Sequence, residues 1–365
     1  MTLSIATNVL MNESEPSDSN WSAASSSSNV TFPYMPDDVA MVLHVSYHVV
    51  FPILLTLVII TNGLCLAALT RPKLQVFHIT QYMKFMTGAD LVGGLTWIPP
   101  IILITTCPFT NFSAAYLYNC LGWPTVTLIR KISLYLLIWM TYDRFLAIWF
   151  PSHFKIKVNN SRIVYVKCAF SFTLAFLYFL VRVISCKVEC VNVNDNISFD
   201  TCPSYERISI EWYNDIRFYF LEIITIPVDI LLILLSVGLV TGLFLKMGTS
   251  GSKNSRKSRQ FYQTVALLVI NISHVLCNLP FRIMYKFFHA KEDKHCHSTV
   301  QMELFIAVGN CLPLVWSGLN IAVFFLLNKD YKEEMKECLS SIPVLGKIFC
   351  SSNQNYEETE IEEKE

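Results

Sequence analysis

Predominantly apolar stretches, each long enough to cross a bilayer, alternate along the chain with short polar segments. A helix needs roughly 20 apolar residues to traverse the hydrocarbon core. Seven such runs fall near 43–69, 79–105, 117–149, 162–184, 212–246, 260–289 and 299–327. A segment in lipid must satisfy its own backbone hydrogen bonds, so each run predicts a transmembrane helix. The pattern predicts an all-α membrane protein, a seven-transmembrane helix bundle. Residues 1–42 form a polar, Ser- and Asn-rich leader that predicts disorder. Residues 43–327 hold the bundle. Residues 328–365 open with an amphipathic stretch, Asn328–Ser340, which predicts a short cytoplasmic eighth helix before an acidic tail.

Composition agrees with the pattern. The chain is 53% hydrophobic and 15% charged, against about 25% charged for soluble domains. Net charge is zero, which gives no pull toward nucleic acid. Charge placement sets the orientation. Residues 1–42 contain no Lys or Arg. Lys and Arg instead follow span one (Arg71, Lys73), span three (Lys155, Lys157, Arg162), span five (Lys246, Lys253, Arg256, Lys257, Arg259) and span seven (Lys329, Lys332, Lys336). Short basic loops face the cytoplasm, so the amino terminus is predicted outside a multi-pass plasma-membrane protein. No cleavable signal peptide is evident before the first full-length span. The Asn-x-Ser/Thr acceptors Asn12, Asn20 and Asn29 lie in the predicted outer leader, and Asn111 and Asn196 in predicted outer loops. Cys107, Cys120, Cys186, Cys190, Cys202 and Cys296 are likewise predicted outside or at the outer edge, where disulfides persist.

Polar groups inside the spans carry the candidate chemistry. Asp143 and Arg144 sit adjacent where span three meets a basic loop, and Phe145 follows them. Charge at that depth is costly and tends to be functional. Asn62, Asp90, Ser133, Ser317 and Asn320 are polar residues of spans one, two, three and seven that need partners inside the bundle. They predict either one water- or ion-holding cluster or a plain hydrogen-bonded packing network. Enzyme chemistry is not indicated: the sequence has no phosphate-cradling Gly-rich loop, no His/Cys metal spacing and no nucleophile elbow.

The run Met140-Thr-Tyr-Asp-Arg-Phe-Leu-Ala-Ile-Trp-Phe-Pro151 resembles the Asp-Arg-Tyr signature of rhodopsin-like (class A) G-protein-coupled receptors. Asn62, Asp90, Cys120, Pro227, Pro280, Asn320 and the eighth-helix aromatic Tyr331 stand in the family's order and spacing. The resemblance implies a cell-surface receptor that binds an extracellular ligand and activates heterotrimeric G proteins, with arrestin and membrane lipid as further partners. It implies roles in activation for Asp143, Arg144, Phe145, Asn320 and Phe324, and a sodium ion as the possible cofactor at Asp90. It also implies a disulfide from Cys120 to the second outer loop, for which Cys190 is preferred and Cys202 is the alternative. Departures from the family pattern include Phe324 in place of a tyrosine, Asn278 in place of the span-six tryptophan with Trp316 opposite it, and Gln260 where some relatives carry a glutamate that holds the arginine. Cys277-Asn278-Leu279-Pro280 and the ending Ser317-Gly-Leu-Asn-Ile-Ala-Val-Phe324 resemble invertebrate FMRFamide-type and nematode srw-like peptide receptors.

The same comparison narrows the ligand. Val126 stands eighteen residues before Arg144, where amine receptors carry an aspartate, and Leu314 stands where opsins carry the Schiff-base lysine. Arg130 and Lys131 lie about 20 Å along the helix from Arg144. With Glu222, Asn278, Arg282, Lys286 and Glu303 they form the candidate ligand set, and Lys131 paired to Glu222 is the alternative for that lysine. A neuropeptide is the favoured ligand. A non-peptide anion, or a transporter function, remain the alternatives.

Overall fold

The computed structural model describes residues 41–42, 44–75, 78–106, 112–152, 154, 161–190, 205–209, 223–247, 255–290, 300–327 and 329–340. Side chains near several helix ends, among them those of Arg282, Lys286 and Glu303, lie outside that description. The helices are α1 (Phe51–Leu69), α2 (His78–Thr106), α3 (Trp123–Trp149), α4 (Ser161–Ile184), α5 (Ile223–Gly242), α6 (Ser255–Ala290), α7 (Val300–Leu327) and α8 (Lys329–Ser340). Seven of them contain stretches long and apolar enough to cross a membrane, in the places the hydropathy pattern predicts. The predicted fifth span opens at 212, whereas α5 is described only from Ile223, and residues 212–222 lie outside the described residues.

The bundle exposes apolar surface around a mainly apolar core that also holds polar groups. Large apolar side chains such as Leu57, Val166, Leu234 and Leu276 are exposed, while Asn62, Ser133, Thr141 and Asn271 are buried. This is the arrangement expected where lipid is the solvent. α3 is the central strut and packs against α2, α4 and α5, while α7 joins α6 to α1. The main core runs through Met86, Leu136, Leu137, Met140, Leu239, Leu267 and Phe324. A second cluster of Phe51, Leu55, Val58, Trp97, Val126 and Leu314 closes the end nearer Cys120.

Wide π-type turns precede both α1 (Val45–Val50) and α3 (Leu117–Gly122). The cause is the same in each. Pro52 and Pro124 follow by two residues, lack an N–H, and clash with the carbonyl four residues back, so the turn in front widens. The N–H groups of Phe51 and Trp123 accordingly donate to Ser46 O and Tyr118 O, five residues back. The widened turn before α3 carries Cys120. Beside it, Gly122 lets α2 approach closely: a Cβ there would stand 3.2 Å from Pro100 Cγ.

Strands β1 (Cys186–Cys190) and β2 (Tyr205–Ser209) form an antiparallel hairpin after α4, with Cys186 opposite Ser209 and Cys190 opposite Tyr205. Here the structure corrects the expected disulfide. Cys120 bonds Cys186, not Cys190, with Cα atoms 5.4 Å apart. Cys186 begins the strand, beside a buried cluster of Ala115, Tyr118, Cys120 and Val188. Cys190 lies four residues farther along, about 13 Å at the strand rise, which is beyond disulfide reach of the same partner. Cys202 lies outside the described residues.

α8 (Lys329–Ser340) falls within the predicted stretch Asn328–Ser340, of which residue 328 lies outside the described residues, and it lies against α1 and α7. Its apolar face buries Tyr331 and Met335. Lys73, in the turn after α1, pairs with Glu334 at 2.9 Å and with Glu337 at 3.5 Å. Hydrogen bonding to Glu334 raises the Lys73 ammonium above its ordinary pKa.

Candidate functional site

Buried polar side chains form hydrogen bonds at two levels along the bundle. At the first, Ser133 donates to Asp90 Oδ1 at 2.6 Å, joining α3 to α2. Asn62 Nδ2 donates to Ser317 Oγ at 3.2 Å and to Val58 O at 2.9 Å, joining α1 to α7. All four of these side chains are buried. Asn320 is buried nearby on α7, but neither its Oδ1 nor its Nδ2 has a protein hydrogen-bond partner. It stands apart from the network that the sequence assigns it to.

At the second level, near the last turn of α3, the adjacent acid and base point to different helices. Asp143 is buried and accepts from Tyr82 of α2 at 2.7 Å and from Lys167 of α4. Lys167 sits over the rings of Trp139 and Tyr142, 5.1 and 5.7 Å from their centroids. Arg144 Nη2 donates to Gln263 Oε1 of α6 at 2.8 Å. Gln260 is the position where some relatives of the family the chain resembles carry a glutamate that holds the arginine. Gln263 lies one turn farther along α6, and the Gln260 side chain lies outside the described residues. One turn deeper, Asn271 Nδ2 donates to Ser236 Oγ at 3.0 Å and exchanges hydrogen bonds with Thr141, tying α6 to α5 and α3.

Phe145 completes this level. It packs against α5, where a Cβ on Gly238 would stand 2.7 Å from Phe145 Cε2. One turn on, a Cβ on Gly242 would meet Ile148 Cγ2 at 2.7 Å, and Trp149 Nε1 donates to Gly238 O at 3.0 Å. Gly238-x-x-x-Gly242 is thus a small-residue stripe that lets α5 and α3 approach closely. Phe324 is buried on α7.

The family model described as 7 transmembrane receptor (rhodopsin family) matches residues 61–320, most of the chain and the whole of this polar framework. The chain belongs to the rhodopsin family of seven-transmembrane receptors. No curated protein matches it. The receptor is therefore a multi-pass plasma-membrane signalling protein and not an enzyme.

The receptor's predicted ligand residues divide. Val126 and Leu314 lie in one buried apolar cluster with Trp97, so the positions of the amine and retinal anchors are filled by packed hydrocarbon. Lys131 is buried over the Tyr178 ring of α4, 5.3 Å from its centroid. Glu222, its predicted partner, lies outside the described residues. Arg130 turns to α2, its guanidinium 5.6 Å from the Trp97 ring centroid. Asn278 faces its own helix, donating to His274 O at 2.9 Å. Trp316, expected against Asn278, instead stacks edge-on with His274 at 4.7 Å and donates to Ile270 O at 3.3 Å. Arg282 and Lys286 lie on α6 and Glu303 on α7, with their side chains outside the described residues. Asn12, Asn20, Asn29, Asn111 and Asn196 lie outside the described residues.

Sequence reasoning missed Lys167, Tyr82, Gln263 and the Asn271–Thr141–Ser236 link. A lysine inside span four was the available signal for the first, because intramembrane charge requires a partner. The Gly-x-x-x-Gly spacing was legible as a packing motif.

Proposed function

We propose that this receptor binds an extracellular peptide at the Cys120 end of its bundle and activates a heterotrimeric G protein from the Arg144 end, which faces the cytoplasm. The hydrogen bond from Arg144 to Gln263 carries the proposal. α6 packs mainly on α7 and α5 and meets α3 at few places. Asp143 is held by Tyr82 and Lys167, so the acid next to Arg144 is engaged elsewhere. A hydrogen bond to a charged group contributes about 1.5–3 kcal/mol, which ligand binding energy can offset. Release of Gln263 lets α6 move away from α3 and offers Arg144 to the partner.

The peptide half rests on the hairpin after α4, pinned to α3 by the Cys120–Cys186 bond, and on the resemblance to FMRFamide-type and srw-like receptors. The apolar surroundings of Val126 and Leu314 argue against a monoamine or retinal. An amidated peptide terminus offers a carbonyl acceptor that suits Arg282 or Lys286 of α6, while Glu222 and Glu303 suit a cationic residue.

Cell-surface expression with a nucleotide-exchange readout, run against a panel of amidated neuropeptides, tests both halves. Peptide-dependent exchange is expected, abolished by Arg144→Ala and weakened at least tenfold in potency by Arg282→Ala at equal surface level. Solute flux without nucleotide exchange would overturn the reading.

A further inference from the structure

The turn that precedes α1 carries two histidines to which neither the polar framework nor the candidate ligand set gives a role. We infer that His44 and His48 form a binding site for a divalent late transition-metal ion of the zinc and copper class, open to water at the Cys120 end of the bundle.

Helix spacing brings the two rings together. Residues four apart are neighbours on one helix face, and His44-Val-Ser-Tyr-His48 lies across the widened turn in front of α1. Both side chains are exposed. Their rings stack with centroids 4.4 Å apart and planes 29° from parallel. Two imidazoles on adjacent positions of one ion, at metal–nitrogen bonds of about 2.0–2.1 Å, hold their centroids roughly 4.5–5 Å apart. A small opening of the pair admits the ion.

The tautomer of His48 is set as well. Its Nδ1 lies 3.2 Å from His44 O, and a carbonyl can only accept, so Nδ1 carries the proton. The Nε2 lone pair of the neutral ring is then available as a ligand. Histidines that bind metals are commonly fixed in this way, the second ring nitrogen donating to a backbone carbonyl. The backbone beneath is firmly seated. Tyr47, between the two histidines, is buried and accepts from Asn310 Nδ2 of α7 at 2.9 Å. Phe51 is buried edge-on against Trp97 of α2, with ring centroids 4.8 Å apart. The exposed pair thus stands on a turn held by two other helices.

The ligand count sets the chemistry. Among the described residues no third His, Cys, Asp or Glu joins the pair, so it falls short of the closed set of four that holds a structural zinc. Two nitrogens, with the remaining positions left to water, suit an ion that binds reversibly. Imidazole nitrogens favour copper, nickel and zinc, whereas calcium and magnesium take oxygen ligands. The site is therefore of a different kind from the one the family resemblance implies at Asp90. There the carboxylate, the Ser133 hydroxyl and the partnerless Oδ1 of Asn320 are oxygen donors of the sort a sodium ion takes.

The full-length receptor is purified in lipid nanodiscs and titrated with copper(II) iminodiacetate, a complex that leaves adjacent positions for two imidazoles. Electron spin resonance counts the nitrogens bound. The unmodified receptor is expected to give the signature of two imidazoles on one copper. Zinc chloride is expected to displace that copper, and magnesium chloride to leave it in place. His44→Gln and His48→Gln are each expected to weaken binding by about tenfold or more and to leave a signal from one imidazole. An unmodified receptor that binds no copper, or binds it through one imidazole, overturns the inference. Displacement by magnesium as readily as by zinc overturns it too, as does a two-imidazole signal that persists in both variants. The arms on the unmodified receptor need no substitution, so the test stands even where a variant fails to fold.

Discussion

Lys167 of α4 donates to Asp143 of α3, and this contact assigns the acid beside Arg144 to a cation on another helix. Both side chains are largely enclosed, at 12% and 9% exposure, so bulk screening is weak and losing either partner leaves a buried charge. Breaking such a pair costs about 3–5 kcal/mol. Lys167→Met is expected to lower the unfolding midpoint and the surface level, and adding Asp143→Asn is expected to cost less than the sum of the two single changes. The double-mutant cycle measures it, with a coupling of about 0.5–3 kcal/mol for groups in contact. Additive losses would show that the pair does not act as a unit.

Gln263 controls basal signalling in the proposed mechanism. Its amide oxygen accepts from Arg144 at 2.8 Å, and Gln263→Leu removes that acceptor while keeping most of the volume. At about 1.5–3 kcal/mol for a charge-assisted bond, ligand-independent nucleotide exchange is expected to rise on the order of tenfold. Gln263→Glu converts the link to an ion pair and is expected to lower exchange below that of the unmodified receptor. Equal basal exchange in all three proteins would remove Gln263 from the mechanism.

How far the sequence could be read depended on what physics each residue obeyed. The spans followed from hydropathy, and the contacts of Asp90 with Ser133 and Asn62 with Ser317 followed from the need of polar groups in lipid to find partners. Choices between residues one turn apart did not follow. Gln260 and Gln263 are three residues apart on one helix face, as His274 and Asn278 are four apart, and sequence spacing cannot say which meets Arg144 or Trp316. The disulfide failed for a similar reason. Cys186 and Cys190 bracket one strand, and only the position of that strand over the widened turn at Cys120 separates them. Lys167 lies inside span four and its partner Asp143 lies on span three, a pairing that spacing along one helix cannot reveal.

The Cys120–Cys186 bond closes a loop that includes the whole of α3 and α4. Cys120→Ser and Cys186→Ser are expected to give matching losses, about 2–4 kcal/mol in the chain-entropy account. Cys190→Ser is expected to leave Cys120 oxidised. Peptide mapping without reductant, on each variant, distinguishes the pairings. Recovery of a Cys120–Cys190 peptide from the unmodified receptor would reverse this assignment.

Gly238 tests whether the close approach of α5 to α3 is required at the Arg144 end. An alanine Cβ there would lie 2.7 Å from Phe145 Cε2 and 3.0 Å from Cδ2, too close without movement of the ring or the helix. Overpacking of this kind costs typically about 1–3 kcal/mol. Moving α5 to relieve it would also stretch the bond from Trp149 Nε1 to Gly238 O, now 3.0 Å. Gly238→Ala is therefore expected to lower the unfolding midpoint, and Phe145→Leu, which is harmful alone because it empties the same space, is expected to compensate it in the double variant. The decisive quantity is the sign of the coupling. A double variant no better than the sum of the two single changes would mean that Gly238 and Phe145 do not share this contact, and that the stripe of Gly238 and Gly242 serves another purpose than seating α5 on α3.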